Sequence, residues 1–223
     1  MDQDLLRKQR ADLLVRNADP EVLRVRGVPK EIFSAIYSGG APWEIGEPQP
    51  EIVNIERAGG FRGAVLDVGC GFGENAIYLA RKGYAVHAID FVSAVIERAR
   101  DHYRDESGRL RIVFEVADAL ELGRLGRIFD CVLDSGMFHL LSDQQRLAYE
   151  HSLRAATAPG SIVHVLCFSD AETRTGGPRR IRLDDVRATF GASWEIRSAR
   201  VAEYRAKAFE SPARAWAIEL VRQ

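Results

Sequence analysis

A glycine-rich turn between an apolar stretch and an amphipathic segment is the feature that most limits how this chain can fold. It reads VLDVGCGFGEN from Val65 to Asn75. A buried strand that passes through such a turn into a helix is how α/β folds form a nucleotide-sized pocket at the carboxyl end of the strand. Glu74 stands where the dinucleotide pattern G-x-G-x-x-G has its third glycine, and a carboxylate there disfavours a pyrophosphate.

Two further acids indicate which ligand suits the turn. Asp67 lies two residues before Gly69 and adds negative charge, so a cationic or zwitterionic ligand is favoured over a polyanion. Roughly 20 residues beyond the turn, Asp90 ends a second strand-like run, the position from which Rossmann-like folds bind the ribose hydroxyls. Asp90 is therefore our ribose candidate.

The segments LDVGCGFG (66–73) and HAIDF (87–91) resemble the first two motifs of the class I S-adenosylmethionine-dependent methyltransferases. The resemblance runs from about residue 43 to the C-terminus, and D-x-G-x-G-x-G with a correctly spaced acid is a specific signal. It implies S-adenosyl-L-methionine as the cofactor, bound by Asp67, Gly69, Gly71, Gly73, Asp90 and Phe91. The alternative is a structural glycine turn in another α/β fold.

Alternating strand-like and helix-like segments predict an α/β, Rossmann-like doubly wound fold. Its seven-stranded sheet should be mostly parallel and end in the antiparallel C-terminal hairpin that the resemblance implies. Residues 1–58 are predicted to form an N-terminal helical cap, with helices at 2–17 and 31–37, and residues 59–223 the cofactor-binding domain. The predicted strands are 64–68, 85–89, 111–116, 129–133, 162–168, 194–201 and 215–221, with helices at 73–81, 93–103, 142–156 and 183–190.

The amino-acid composition limits which binding partners are expected for this chain. The chain has 223 residues and a formal net charge of −1, so it offers no overall attraction to nucleic acid or to an anionic membrane. Its three cysteines include no C-x-x-C pair and indicate neither a disulfide framework nor a metal site. The acidic start and the lack of an apolar run of about 20 residues predict a cytoplasmic protein. We expect it to be a monomer or a homodimer.

The ends of the third and fourth strands supply more candidates. By the resemblance, Asp118 and Ala119 would contact adenine, although Asp118 could instead be a helix N-cap. Asp134 is expected beside the cofactor, and Ser135 and Met137 beside the methyl acceptor. Residues 134–137, DSGM, lack the two prolines with which DNA amino-methyltransferases hold a nucleobase amine, and this argues against a nucleobase as the substrate.

His139 is the candidate catalytic residue. An imidazole with a pKa near neutrality can accept the proton of a phenol as it is methylated. The alternative is that His139, set within an apolar stretch, only shapes the pocket wall. Transfer to an already ionised acceptor needs no base at all.

The proline-rich segment 42–50, PWEIGEPQP, resembles one in small-molecule methyltransferases of the thiopurine, tellurite-resistance and heterocyclic-toxin group. The resemblance places Trp43 near the cofactor's sulfonium and Tyr37 in the substrate pocket. Equally, Trp43 could pin the cap to the core. The basic segment 174–182 is predicted to be a solvated loop, with a lid over the substrate as the alternative.

These observations predict a methyltransferase that acts on an O, S or N atom of a small aromatic or heterocyclic molecule. An NAD-linked oxidoreductase is disfavoured by Glu74 and by the glycine spacing. A non-catalytic module that binds the cofactor stays open. Methylation of RNA or protein would require an extended basic surface, and only the 174–182 segment offers one.

Overall fold

The computed structural model describes residues 20–106 and 108–223, and a seven-stranded sheet lies at its centre. The strand order is β3-β2-β1-β4-β5-β7-β6. Strands β1 to β5 are parallel, and β7 is antiparallel to both β5 and β6. The predicted α/β class, strand count and C-terminal hairpin are confirmed. The strands are β1 (Ala64–Val68), β2 (Ala85–Asp90), β3 (Ile112–Val116), β4 (Phe129–Ser135), β5 (Thr157–Phe168), β6 (Trp194–Tyr204) and β7 (Ala213–Arg222).

The order of the strands reverses between β1 and β4, and this reversal locates the functional edge. Val68, the last residue of β1, pairs with Ile89 on one side and with Asp134 on the other. The carboxyl ends of three parallel strands therefore meet at one edge. Ligands of open α/β sheets bind in the crevice outside such a reversal.

Seven α-helices lie in the described ranges, and four of them match the predicted catalytic-domain helices within two residues at each end. Of the three described cap helices, α2 was predicted at 31–37, whereas no helix was predicted at α1 or α3. Helix α3 begins with Pro50, and proline is well suited to the first turn of a helix. The predicted helix at 2–17 lies outside the described residues. The helices are α1 (Pro20–Arg26), α2 (Glu31–Ser38), α3 (Pro50–Arg57), α4 (Glu74–Arg81), α5 (Ser93–His102), α6 (Asp143–Ala155) and α7 (Leu183–Phe190).

Apolar side chains are buried on both faces of the sheet. Val65 belongs to one hydrophobic cluster, whereas the next residue, Leu66, belongs to the cluster on the opposite face. Such near-continuous apolar runs are typical of parallel strands covered by helices on both sides. Ile52 of helix α3 is fully buried in the same cluster as Val65, so this helix packs directly on the sheet.

Gln49 joins the cap to the far end of the sheet. Its side-chain amide donates to the Arg205 carbonyl at 2.8 Å, and its Oε1 accepts from the Arg205 N–H at 3.0 Å. Its own N–H donates to Asn75 Oδ1 at 2.9 Å. The side chain is 5% exposed, so water cannot readily replace these bonds.

We expect Gln49→Ala to lower the free energy of unfolding by about 1–3 kcal/mol, because two partly buried hydrogen bonds to the Arg205 backbone would be lost. Urea denaturation measures the change, with Gln144→Ala on the exposed surface of α6 as the matched control. Equal midpoints for the two variants would contradict this account of how the cap is held.

Candidate active site

The turn between β1 and α4 is held by glycines in the left-handed region. Gly71 has φ 57° and Gly73 has φ 90°, values that side-chain-bearing residues rarely adopt. A Cβ on Gly71 would lie 2.9 Å from Glu44 Oε1, whereas one on Gly73 would lie 2.7 Å from the Phe114 ring. Gly71 thus keeps the ligand side open, and Gly73 serves the packing of the sheet.

A cavity of about 370 Å³ opens at this edge of the sheet. It is continuous from the glycine turn to the ends of β5 and β6. The predicted residues Tyr37, Trp43, Gly69, Gly71, Asp90, Phe91, Ser135, Met137 and His139 all line it. A smaller cavity of about 60 Å³ adjoins it and is lined by Phe91, Met137, Asp118 and Ala119.

Asp90 organises the first of these cavities. Its Oδ1 accepts from the Val92 N–H at 2.9 Å, and its Oδ2 accepts from the Gly71 N–H at 3.3 Å. The Tyr37 hydroxyl also donates to this carboxylate. Burial raises the pKa of Asp90, and hydrogen bonds from Val92, Gly71, Tyr37 and Phe91 partly offset this rise. Tyr37, predicted in the substrate pocket, therefore lies at the ribose candidate.

Two predicted cofactor acids lie beneath the site and are absent from the lining of either described cavity. Asp67 is 1% exposed and accepts from the Ala76 N–H, which orders the start of α4. Asp134 is fully buried, and its Oδ1 accepts from the N–H groups of Met137 and Phe138 at 2.9 and 3.1 Å. Burial raises the pKa of Asp134 to about 6. The structure gives both acids a role in holding turns.

Asp118 is a helix N-cap, the alternative to an adenine contact that the sequence analysis left open. Its Oδ1 accepts from the Leu120 N–H at 3.0 Å, which caps the short helix Ala119–Leu125. Its Oδ2 is paired with Lys30 of the cap, a contact that sequence reasoning missed. The carboxylate still borders the smaller cavity, so the cap and an adenine amino group would compete for the same oxygen.

Glu44 is the cavity residue that sequence reasoning passed over, although it follows Trp43 directly. It accepts from the Phe72 N–H and shares a hydrogen bond with Glu74. Burial and the neighbouring Glu74 carboxylate raise the pKa of Glu44 to about 8. Two carboxyl groups that share a proton inside a cavity favour a cationic ligand group beside them.

Trp43 belongs both to the aromatic packing of the cap and to the wall of the large cavity. Its ring packs edge-on against Tyr37 at 5.4 Å and lies 6.1 Å from Phe33, so it holds the cap together. The same side chain lines the large cavity. An aromatic face is thereby available to a cation held near Glu44 and Glu74.

The basic segment 174–182 is not the solvated loop that the sequence predicted. Arg174, Thr175, Pro178 and Arg180 line the large cavity, and Arg179 is only 5% exposed. Arg180 donates to the carbonyls of Pro178, Arg174 and Glu172, which closes the segment on itself. The lid alternative fits this arrangement.

His139 lies in the short helical turn Phe138–Leu140 and is 3% exposed. The Phe168 N–H donates to its Nδ1 at 3.1 Å. Burial, with the charges of Arg180 and Arg146, lowers the pKa of His139 to about 3. A neutral ring with so low a pKa is a weak base near pH 7, and its Nδ1 is already occupied by the Phe168 N–H, so this geometry favours the pocket-wall alternative over the predicted proton acceptor.

Three comparisons with known proteins show which proteins this chain resembles. A family model for a methyltransferase domain matches residues 65–160. The 2-heptyl-1-hydroxyquinolin-4(1H)-one methyltransferase of Mycobacteroides abscessus is 32% identical over 177 residues, which cover 75% of this chain and 78% of that protein. A structure solved in work on the conversion of a disulfide bond into a thioacetal group during echinomycin biosynthesis is 35% identical, with a TM-score of 0.78 over 87% of this chain and 93% of that one.

The chain belongs to the class I S-adenosylmethionine-dependent methyltransferases. The glycopeptide N-methyltransferase MtfA, solved with S-adenosyl-L-methionine, shares the fold at 15% identity and a TM-score of 0.63 over 78% of this chain and 93% of that one. Nothing in these relatives supports the NAD-linked alternative.

The site of this methyltransferase fits its cofactor. The open backbone at Gly71 and the Asp90 carboxylate suit a nucleoside, and the Glu44 and Glu74 pair suits the positive charges of the amino group and the sulfonium. No helix among residues 20–106 and 108–223 has the length and apolarity needed to cross a bilayer. Within the same ranges, no group of three or more His, Cys, Asp and Glu side chains could hold a metal ion.

The raised pKa of Glu44 predicts how stability depends on pH. Unfolded, Glu44 ionises near its ordinary pKa of 4.5, whereas the folded protein keeps it protonated to about 8. The ligand-free protein should therefore lose stability relative to Glu44→Gln as pH rises from about 4.5 to about 8, by roughly 2–4 kcal/mol in total.

Urea denaturation at several pH values measures this difference. Glu47→Gln, which changes an exposed carboxylate three residues away, is the control and should show no such trend. A constant difference between Glu44→Gln and the unaltered protein across this pH range would contradict the shared-proton arrangement.

Proposed function

We propose that this methyltransferase transfers the methyl group of S-adenosyl-L-methionine to an O, S or N atom of a small aromatic or heterocyclic molecule, in detoxification or secondary metabolism. The observation that carries the proposal is one continuous cavity, which joins the glycine turn to an aromatic wall. That wall includes Phe168, Tyr204 and Phe209, whose rings pack against one another at 5.6 and 6.1 Å.

The donor side would use the residues around the turn. Gly69 and Gly71 would let the cofactor approach the backbone, Asp90 would bind the ribose hydroxyls, and Phe91 would lie between ribose and adenine. Asp118 and Ala119 would border adenine in the smaller cavity. Glu44, Glu74 and Trp43 would face the amino group and the sulfonium.

The acceptor side would be the aromatic part of the cavity. Ser135 and Met137 line the large cavity and would face the acceptor, as would Arg174, Thr175, Pro178 and Arg180 of the 174–182 segment. Positioning of two reactants in a cavity that excludes water supplies much of the acceleration in a direct displacement. The mycobacterial relative acts on a hydroxyquinolinone, and a ring of that kind suits such a wall.

The domain boundary near residue 58 belongs to the same proposal, with the cap as the substrate-covering part. We also propose a cytoplasmic monomer or homodimer with no nucleic-acid or membrane partner. Size-exclusion chromatography with light scattering tests the oligomeric state, and electrophoretic mobility with RNA and DNA tests for nucleic-acid binding.

Incubation with methyl-labelled S-adenosyl-L-methionine and a panel of phenols, N-hydroxy heterocycles, heteroaryl thiols, N-heterocycles and tellurite tests the transfer. We expect mass spectrometry to find a methylated product among the aromatic acceptors. Tight cofactor binding without a methylated product from any acceptor would favour a non-catalytic binding module and overturn the proposal.

The ribose role of Asp90 gives a separate prediction. Asp90→Asn keeps one acceptor oxygen for the turn but removes the charge that two ribose hydroxyls would share, so S-adenosyl-L-methionine should bind about 10- to 100-fold more weakly. Isothermal titration calorimetry measures the affinity. Asp105→Asn, on the exposed 104–106 turn, is the control. Equal affinities for the two variants would remove Asp90 from the ribose site.

A further inference from the structure

The hydrogen bond that His139 accepts decides which of its ring nitrogens can donate to a ligand. A backbone N–H can only donate, so the bond from Phe168 at 3.1 Å requires Nδ1 to be unprotonated. A neutral imidazole then carries its hydrogen on Nε2. Because His139 lines the large cavity, the side chain offers the cavity a hydrogen-bond donor.

Packing fixes the orientation of this ring. The His139 imidazole lies edge-on to Phe168 at 4.9 Å and to Tyr204 at 6.1 Å. The His139 carbonyl accepts from the Arg179 N–H at 3.2 Å, which ties the histidine's turn to the 174–182 segment. A donor held by its neighbours in this way loses little side-chain entropy when it binds a ligand.

Arg180 adds positive charge beside this donor. Its guanidinium lies over the Phe168 ring at 5.6 Å and donates hydrogen bonds to three backbone carbonyls. Among the described residues, no carboxylate lies within ion-pair distance of Arg180. Burial and the charge of Arg174 lower the pKa of Arg180, and the more distant Glu172 carboxylate only partly opposes them.

The cavity thus has opposite electrostatic character on its two sides. Glu44 and Glu74 lie at the glycine turn, where a cationic donor suits them, whereas Arg180 and the His139 N–H lie at the aromatic wall. Charge complementarity on the acceptor side favours an anion, just as the donor side favours a cation.

We propose that the methyl acceptor is an acidic hydroxyl on an aromatic or heteroaromatic ring, bound as its oxyanion by the His139 Nε2–H in the field of Arg180. This inference rests on the proposed function and names the substrate class of the same site. His139 is a binding residue in this account, and the acceptor's proton goes to solvent before the anion binds.

The transfer step then needs no protein base. A lone pair of the oxyanion forms the new O–C bond, the electron pair of the S–C bond returns to sulfur, and a methyl ether and a neutral thioether result. Opposite charges disappear as the bond forms, so an enclosed cavity of low polarity favours the step.

The groups around His139 preserve its neutral form over the working pH range. Arg180 faces it from the 174–182 segment, Arg146 from α6 and Tyr204 from β6. The two cations oppose its protonation, and burial raises the pKa of Tyr204 well above its ordinary value, so its hydroxyl stays neutral. No group on the acceptor side should therefore titrate near neutral pH, so differences in pH dependence between acceptors should come from the acceptors themselves. Ionisation of Glu44 on the donor side would affect every acceptor alike.

The test is the pH profile of kcat/KM for a series of phenols and N-hydroxy heterocycles of graded acidity, drawn from those that the panel shows to be methylated. We expect each profile to rise through the pKa of its own free acceptor. One inflection near neutral pH, shared by all acceptors in both the unaltered protein and Glu44→Gln and independent of the acceptor's own pKa, would show a proton-accepting group on the protein and overturn the proposal.

Two variants distinguish a hydrogen-bond donor from a proton acceptor at position 139. His139→Gln keeps an N–H near the position of Nε2, whereas His139→Leu removes it. We expect His139→Leu to lower kcat/KM for phenols by about 10- to 100-fold and His139→Gln to keep most of it, with cofactor affinity unchanged in both. His151→Leu, exposed on α6, is the control and should match the unaltered protein.

Equal losses in His139→Gln and His139→Leu, or no loss in either, would contradict the donor role. If both variants fail to fold, the pH profiles of the unaltered protein still decide the question. Absence of any methylated product would count against the proposed function, whereas methylation of neutral heterocycles alone would leave that function standing and overturn this inference.

Discussion

The backbone conformation at Gly71 is the constraint on which the rest of the site depends. Its φ of 57° turns the chain so that its N–H meets the Asp90 carboxylate and leaves the opposite side open to Glu44. A side chain there would be strained and would displace Glu44 from the turn. The cap, the turn and the end of β2 are therefore assembled around one residue without a Cβ.

The cap contributes more chemistry than its size suggests. Glu44 and Lys30 both reach cavity walls formed by the sheet, the first beside Glu74 and the second at Asp118. Each contact places an ionisable cap group where the cofactor would bind. Cofactor binding and cap position are consequently coupled through these charges, because a ligand that binds there must rearrange or satisfy them.

Local patterns were sufficient to predict most of the fold and to indicate the glycine turn and Asp90 at the edge of the sheet. The glycine turn and Asp90 lie within about one strand-turn-helix-strand unit, so their spacing in the sequence carries their geometry. Glu44 and Lys30 could not be found in this way, since their partners come from other elements. The position of Arg180 could not be found either, because the Phe168 ring on which it packs belongs to β5. The Nδ1 bond of His139 comes from Phe168, 29 residues along the chain, and no local pattern reveals which nitrogen carries the hydrogen.

Nitrogen NMR of the histidine side chains in the protein with bound S-adenosylhomocysteine tests the central claim most directly, namely that His139 is a fixed donor at the acceptor side of a methyltransferase cavity. The account predicts that Nε2 carries the hydrogen, that Nδ1 does not, and that neither signal changes between about pH 5 and about pH 9. A His139 signal that titrates near neutral pH, or a hydrogen on Nδ1, would contradict it.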